Sequence, residues 1–271
     1  MKKISFILAS LVCGVSFASA DFLSFSAGAG YEQQNIDGYV KNGNTINYFA
    51  PHSINPAKSI GTFGLKDENN PYVWAKFIHP IPFIPNIKVQ YTKYSSTGYS
   101  KYIAANNIKI FGDVAIPTGL TNASTKMDIN SYDLALFYEF KPVVADIEAG
   151  FGVDYWKGHT KIYGTGKILI VSKTKTWVDS DWSVVLPYLY ANVETMQIFG
   201  FSAIANVKWA KAGDNHHYDY VGALKYTLDI FGPVNPFIKV GYRYKDVYGV
   251  DGSTETKLTY KGVFAEIGAK F

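Results

Sequence analysis

The chain has 271 residues with 26 basic and 22 acidic side chains, and its net charge of +4 is too small to indicate nucleic-acid binding. Hydrophobic residues make up 48% of the chain, which excludes a disordered protein. Aromatic residues reach 16% and glycine occurs 24 times, a composition that argues against a helical bundle.

The N-terminal segment has the pattern of a secretory signal peptide. Met1-Lys2-Lys3 is basic, residues 4–17 are apolar apart from Ser and Gly, and Ala18-Ser19-Ala20 forms a small-x-small cleavage site. We predict cleavage between Ala20 and Asp21, so that residues 1–20 are the signal peptide and residues 21–271 form one mature domain. The single cysteine lies within the signal peptide, and the mature chain is therefore expected to contain no disulfide.

Apolar and polar residues alternate with period two along the mature chain, which is the pattern of β-strands with one apolar face. In residues 132–140, for example, Tyr, Leu and Phe share one face, and Asp133, Ala135 and Glu139 fall on the other. No mature segment reaches 18 consecutive apolar residues, which excludes a helical membrane protein. We predict ten strands, at about residues 22–34, 71–80, 87–95, 128–140, 145–156, 181–193, 199–210, 217–230, 236–246 and 257–271.

The sixth predicted strand has two candidate outer faces. One contains Trp182, Val184, Leu186, Tyr188 and Tyr190, and the other contains Val185, Leu189 and Val193. Both faces are apolar, so the alternation does not select between them.

Three features favour a transmembrane barrel over a soluble β-sandwich. Many predicted strands have the roughly 9–13 residues that a tilted membrane strand needs. Their polar face is rich in Gly and small residues, as in a barrel interior, and short connections alternate with long polar ones such as residues 35–70. The predicted fold is all-β: a transmembrane antiparallel β-barrel of about ten strands with long extracellular loops and short periplasmic turns. Twelve strands are an alternative, because the third connection is long enough for an extra hairpin.

Aromatic residues at the predicted strand ends are expected to form two belts, since such rings prefer the headgroup zone of a bilayer. The expected outer belt contains Tyr31, Tyr91, Tyr155, Trp209 and Tyr244, and the expected inner belt contains Phe22, Phe140, Phe201 and Phe271.

The last strand carries a recognisable pattern. Residues 263–271 read VFAEIGAKF, an alternating strand that closes on Phe271. This ending resembles the C-terminal assembly signal of bacterial outer-membrane barrels. Together with the signal peptide and the Lys-rich composition, it makes the chain similar to an uncharacterised outer-membrane β-barrel family of epsilon-class Proteobacteria. The resemblance implies a multi-pass protein of the Gram-negative cell outer membrane, with outer-membrane lipid and, through its last strand, the barrel assembly machinery as partners.

The predicted inward faces carry charges of both signs. A barrel slightly wider than an eight-stranded one is largely filled by side chains, so opposite charges on facing walls are expected to pair across the lumen. We place Arg243 at the centre, because its planar guanidinium can hold two carboxylates. The proposed lumen charge network consists of Asp133, Glu139, Asp146, Glu148, Asp154, Lys208, Lys225, Lys239 and Arg243.

An enzymatic function has weaker support in the sequence. Omptin proteases, which the chain resembles in strand number, carry an Asp-x-His pair and an acid pair on outer loops; here Asp214-Asn215-His216 and Asp179-Ser180-Asp181 offer those residue types. The acid pair follows the fifth strand, later in the chain than in that family. We therefore predict a non-enzymatic barrel without cofactor or metal, either structural or a narrow porin-like channel with surface-exposed loops. The alternatives are an omptin-like barrel enzyme and an adhesin that acts through its long loops.

Overall fold

The computed structural model describes residues 23–81, 83–104, 108–110, 114–116, 119–168, 171–228 and 234–271. The predicted signal peptide, its cleavage site at Ala20 and Asp21, and Phe22 lie outside the described residues. Among the residues that are described, no helix is long and apolar enough to cross a membrane.

The described chain consists almost entirely of β-strands, with one short 3₁₀ helix at Pro56–Lys58. The strands are β1 (Ser24–Asn42), β2 (Thr45–Tyr48), β3 (Ile60–Thr62), β4 (Glu68–Ile78), β5 (Asn86–Ile103), β6 (Ile108–Ile110), β7 (Val114–Ile116), β8 (Leu120–Phe140), β9 (Ala145–Ile168), β10 (Val171–Thr195), β11 (Phe201–Ala212), β12 (Asn215–Thr227), β13 (Asn235–Asp251) and β14 (Thr254–Lys270).

Ten of these strands form a closed antiparallel ring in the order β1-β4-β5-β8-β9-β10-β11-β12-β13-β14, and β14 pairs back with β1. The prediction of an all-β barrel with ten strands is confirmed. The third connection does contain an extra hairpin, β6–β7, but among the described strands the two pair only with each other, and the ring keeps ten strands.

Several strands extend far beyond their predicted outer ends. Strands β9 and β10 have 24 and 25 residues, and they pair without interruption up to Ile168↔Val171 apart from one bulge near Trp177. The prediction of a long loop at residues 157–180 is therefore wrong. The segment is rich in Thr, Lys and Gly and lacks an apolar outer face, so it resembles a loop; Thr, Ile, Val and Tyr nevertheless favour an extended chain.

The outward faces of the ring agree with the predicted alternation and are apolar. Leu134, Phe151 and Ile267 have exposed fractions of 39%, 56% and 68%. The structure also resolves the sixth predicted strand: Val185 and Leu189 are each 60% exposed, whereas Trp182, Tyr188 and Tyr190 are buried inside. A continuous apolar belt of this extent is not compatible with water, because soluble monomers rarely expose apolar patches above a few hundred Å².

Aromatic rings border the apolar belt at both edges. On the side away from the chain termini, Tyr91 and Tyr155 each contact Tyr132, with ring centroids 5.4 and 6.4 Å apart. On the side of the termini, the Phe25 and Phe271 rings lie 6.0 Å apart. We call the latter side the periplasmic end, since it carries the short turns, and the opposite side the outer end.

The outer half of the barrel encloses a hydrophobic core. Residues 43–66 fold into the mouth, where Phe49, Phe63 and Leu65 are each 1% exposed. The Asn47 side chain anchors this segment by two hydrogen bonds of 2.8 Å to the backbone of Ala104. The buried members of the core are Ile36, Val40, Phe49, Phe63, Leu65, Tyr94, Ile103, Leu120, Ala123, Met127, Ile129, Trp156, Ile162, Val178, Trp182, Val247, Leu258 and Tyr260.

The β6–β7 hairpin adds a cover over this core. Its first strand contacts β1 and β14, and its second contacts β10 on the far side of the ring. The hairpin backbone therefore crosses the outer mouth of the barrel.

Candidate functional site: the charged lumen

A layer of buried charges lies directly beneath the hydrophobic core. Its centre is Asp219, which accepts two hydrogen bonds from Arg243, from Nε at 2.9 Å and from Nη2 at 2.7 Å. The ammonium groups of Lys245 and Lys208 lie 3.6 and 4.0 Å from the same carboxylate. Arg243 Nη1 also donates to Glu32 across the β1–β14 seam at 3.0 Å. One carboxylate thus contacts three cations, which compensates the cost of burying each of them.

Two further pairs complete this layer. Lys208 donates to Asp133 at 2.7 Å, and Lys245 donates to Asp154 at 2.9 Å. Asp154 also accepts hydrogen bonds from Ser131 at 2.6 Å and from the Trp156 indole at 2.8 Å. These charges are embedded in hydrogen bonds, as buried ions must be to persist.

A second layer of ion pairs lies closer to the periplasmic end. Lys76 pairs with Glu148 at 2.7 Å, and Lys239 pairs with Glu266 at 2.7 Å. Tyrosine hydroxyls bind the other oxygen of each glutamate, Tyr190 at 2.7 Å and Tyr72 at 2.8 Å. Lys225 and Glu194 form a third pair.

All nine residues of the predicted lumen network face the interior, but their partners differ from the prediction. Only Asp133 and Lys208 pair with each other within that set. Arg243 holds two carboxylates, Asp219 and Glu32, and neither belongs to the predicted set. Glu139 pairs with Lys141 beside it, and Asp146 lines the periplasmic mouth. Arg243 thus holds two carboxylates, as expected from the sequence for its guanidinium, and Asp219 is the carboxylate that all three cations share.

The missed members follow the same alternation as the predicted ones. Lys245 is two residues beyond the inward-facing Arg243, and Glu32 directly follows the outward-facing Tyr31. The alternation of the sequence therefore places both side chains inside the barrel. Continuing the inward and outward alternation along the full length of each strand would have identified both residues as lumen residues. Their pairing could not be found in that way, since it depends on the stagger between strands.

The two motifs considered for protease chemistry form separate sets of side-chain contacts. His159 contacts both acids of the pair, Asp181 at 2.9 Å and Asp179 at 3.3 Å. Lys161 lies 3.0 Å from Asp179, and its hydrogen bond lowers the pKa of that exposed carboxyl group. His216 instead contacts Asp246, on the neighbouring strand, at 2.9 Å.

The adjacent histidines of strand β12 point to opposite sides of the wall. His217 is buried in the lumen with its ring 5.9 Å from that of Tyr188, while His216 stacks on Tyr218 at 4.5 Å on the outer face. They therefore do not converge on one metal position, and no group of three candidate ligands occurs within the described part of the chain.

A cavity of about 580 Å³ occupies the lumen below the central charge layer. Arg243 and Lys208 form its inner end, and residues of the periplasmic turns, among them Pro142, Val143 and Met196, line its mouth. The described lumen is therefore divided into an open periplasmic vestibule, a buried charge layer and an outer hydrophobic core.

A closed antiparallel ring with an apolar, aromatic-bordered outer face and a polar interior defines an outer-membrane β-barrel, because only closed sheets satisfy every backbone group in lipid. The chain is an integral, multi-pass protein of the cell outer membrane. No protein-family model and no curated protein sequence matches it.

Solved structures that resemble the chain include outer-membrane β-barrel proteins. Neisserial surface protein A (NspA) is 12% identical, with a TM-score of 0.32 over 91% of this chain and 97% of its own. The translocator domain of the autotransporter NalP from Neisseria meningitidis is 13% identical, with a TM-score of 0.42 over 100% and 95%. The outer membrane protease OmpT from Escherichia coli is 7% identical, with a TM-score of 0.43 over 95% and 99%.

Proposed function

We propose that this protein is a non-enzymatic outer-membrane barrel with an occluded lumen, and that its working surface is the extracellular extension of its strands. The observation that supports the proposal is the filling of the outer half by buried side chains, with Tyr94, Trp156 and Tyr260 directly above the charge layer. The Tyr94 and Tyr260 rings stack at 4.6 Å, and Lys245 Nζ lies 5.3 Å from the Tyr94 and Trp156 rings. Such packing leaves little room for a continuous water path, so the structural role is favoured over the porin-like one.

Conductance in planar bilayers tests this proposal. The wild-type barrel is expected to show no steady porin-like conductance under conditions in which a reference porin conducts. A variant that lacks most of residues 43–66, which fold into the mouth, should open more often. A steady ohmic conductance of the wild-type protein would overturn the occluded-barrel proposal.

A second candidate function, recognition through the outer hairpin, has one specific observation in its favour. Residues 157–178 contain five lysines and no acidic residue, and the structure extends this segment as a two-stranded hairpin beyond the apolar belt. A projecting basic surface favours anionic partners such as acidic polysaccharides. The five are Lys157, Lys161, Lys167, Lys173 and Lys175, of which Lys161 pairs with Asp179 at 3.0 Å.

Binding of intact cells to dextran sulfate beads tests the recognition function. Replacing the five hairpin lysines by Gln should reduce retention at least fivefold, while the same replacement at Lys41, Lys211, Lys257 and Lys261, elsewhere on the outer half, should reduce it less than twofold. Equal retention of the two variants would contradict a role of the hairpin.

We further propose that the last strand directs assembly of the barrel in the outer membrane. Backbone hydrogen bonds between Phe271 and Phe25 continue the β14–β1 seam to the last residue, which supports this proposal.

A further inference from the structure

The periplasmic vestibule contains one partly buried lysine that has no ion pair among the described residues, Lys88. Lys76, Lys208, Lys225 and Lys239 line the same cavity, and each is paired with a carboxylate. Lys88 projects inward from β5 into the cavity, and among the described residues it has neither an ion pair nor a hydrogen bond. The only other unpaired lining lysine in the described chain, Lys270, lies at the mouth.

The charges around Lys88 make it a site of positive potential. The charged side chains that act on it most strongly are Lys239, Glu148, Lys208 and Lys76, and three of these four are cations. Glu148 is already occupied, because one oxygen binds Lys76 and the other binds the Tyr190 hydroxyl. Pairing of Glu148 with Lys88 would therefore leave Lys76 without its partner.

Aromatic rings form the wall beside this ammonium group. Lys88 Nζ lies 5.5 Å from the Trp74 ring and 5.9 Å from the Tyr190 ring. Trp74 stacks on Phe237, with centroids 6.2 Å apart and an interplanar angle of 22°. Gly28 allows this arrangement, since a Cβ at that position would lie 2.8 Å from the Trp74 indole nitrogen. The indole therefore lies flat against the barrel wall and leaves the vestibule open.

We propose that the vestibule is a binding site, entered from the periplasm, for a small organic monoanion that carries a flat apolar group. Lys88 holds the carboxylate or sulfonate, and Trp74 with Tyr190 contacts the apolar part. The cavity of about 580 Å³ lies within the range of about 300–1,000 Å³ that is usual for small-molecule sites. Because the inner end is closed by Arg243 and Lys208, the ligand binds and leaves through the same mouth.

Calorimetric titration of the full barrel in a non-ionic detergent with 2-naphthalenesulfonate tests this site. Lys88→Met removes the charge and keeps the apolar stem, and it should weaken binding at least tenfold. Lys88→Arg should stay within about threefold of the wild type. The matched control is Lys93→Met, on the outward face of the same strand, which should leave binding unchanged and reports any partition of the probe into the micelle. The neutral 2-naphthalenemethanol should bind at least tenfold more weakly than the sulfonate.

The variant is expected to fold, because Lys88→Met removes a partly buried charge that has no ion pair among the described residues. Its thermal midpoint without ligand should equal or exceed that of the wild type, and addition of the sulfonate should raise the midpoint of the wild type but not that of Lys88→Met. Unchanged sulfonate binding by Lys88→Met, equal binding of the neutral alcohol, or no binding by the wild type would each overturn the proposal. Each of these results is independent of the conductance experiment on the outer half.

Discussion

The buried charges of the lumen depend on one carboxylate more than on any other. Asp219 contacts Arg243, Lys245 and Lys208, which lie on β13 and β11 on either side of its own strand β12. A side chain shared by three cations is difficult to replace, because its removal leaves several charges underneutralised at once.

Asp219→Asn is expected to lower the free energy of unfolding by about 3–5 kcal/mol, the usual cost of removing one partner from a buried ion pair. Urea titration of the barrel folded in lipid vesicles measures this loss. Asp214→Asn, in the exposed turn before the same strand, serves as the control and should change stability by less than about 0.5 kcal/mol. Equal midpoints for the two variants would show that Asp219 does not organise the layer.

Arg243→Ala tests whether the charge layer or the hydrophobic core above it closes the barrel. The substitution should destabilise the barrel, since Asp219 loses two hydrogen bonds and Glu32 loses its ion pair. Conductance should stay low, because Tyr94, Trp156 and Tyr260 still fill the lumen above. Thermal unfolding and planar-bilayer recording of the same preparation test both expectations. Porin-like currents from this variant would mean that the charge layer alone closes the barrel.

At the scale of elements, the segment that closes the outer mouth depends on a glycine. Gly64 has a φ of +66°, and a Cβ there would lie 2.1 Å from the Tyr99 carbonyl oxygen. Gly64→Ala is therefore expected to loosen residues 43–66 and to accelerate cleavage by trypsin after the exposed Lys66 on intact cells. Gly43→Ala is the matched control: its φ of +56° carries a similar backbone cost, but the position is open, with nothing within 4 Å. Equal cleavage rates would exclude the steric explanation.

The β14–β1 seam provides a second prediction at this scale. Deletion of Phe271 removes its backbone hydrogen bonds with Phe25, of 2.7 and 3.3 Å, and a ring contact at 6.0 Å. Folding into vesicles, followed by heat-modifiable mobility in gels, should be slower or incomplete. Phe271→Tyr keeps the ring and the backbone pair and should fold like the wild type. Deletion without any effect on folding would remove the proposed role of the last residue.

The elements that face lipid could be predicted from the sequence, and those above the membrane could not. Residues 132–140 alternate apolar and polar side chains because one face meets hydrocarbon, and that alternation is visible directly. Above the membrane, residues 157–180 face water on the outside, so Lys, Thr and Gly replace the apolar positions and the strand resembles a loop. In strand β10, where both faces are apolar, only the fold shows that Val185 and Leu189 face outward.

The candidate site was predictable to a smaller extent. The alternation of inward and outward side chains alone places Asp133, Lys208 and Arg243 in the lumen. The partner of each charge depends on how far neighbouring strands are shifted relative to one another. Lys88 showed no distinguishing signal in the sequence, since its property is the lack of a nearby free carboxylate in the folded barrel.

At the scale of the whole molecule, the predicted processing determines which chain reaches the membrane. N-terminal sequencing of the protein purified from outer membranes should begin at Asp21, because Ala18-Ser19-Ala20 fits the requirements of the cleavage enzyme. A mature chain that begins at Met1 would contradict secretion by this route.

In β8 and β9 the outward-facing positions change from apolar to polar above the belt, where the inner face of each strand is hydrophobic. In β8, Tyr132 and Leu134 face outward, whereas Met127 and Ile129, nearer the outer end of the same strand, are buried inside. In β9 the change occurs between the exposed Tyr155 and the fully buried Trp156. Shifting the barrel vertically by one pair of residues would move lysines such as Lys126 and Lys157 toward hydrocarbon or expose the belt to water. The depth of the protein in the bilayer is thus encoded in the sequence, at the position where the hydrophobic alternation changes phase.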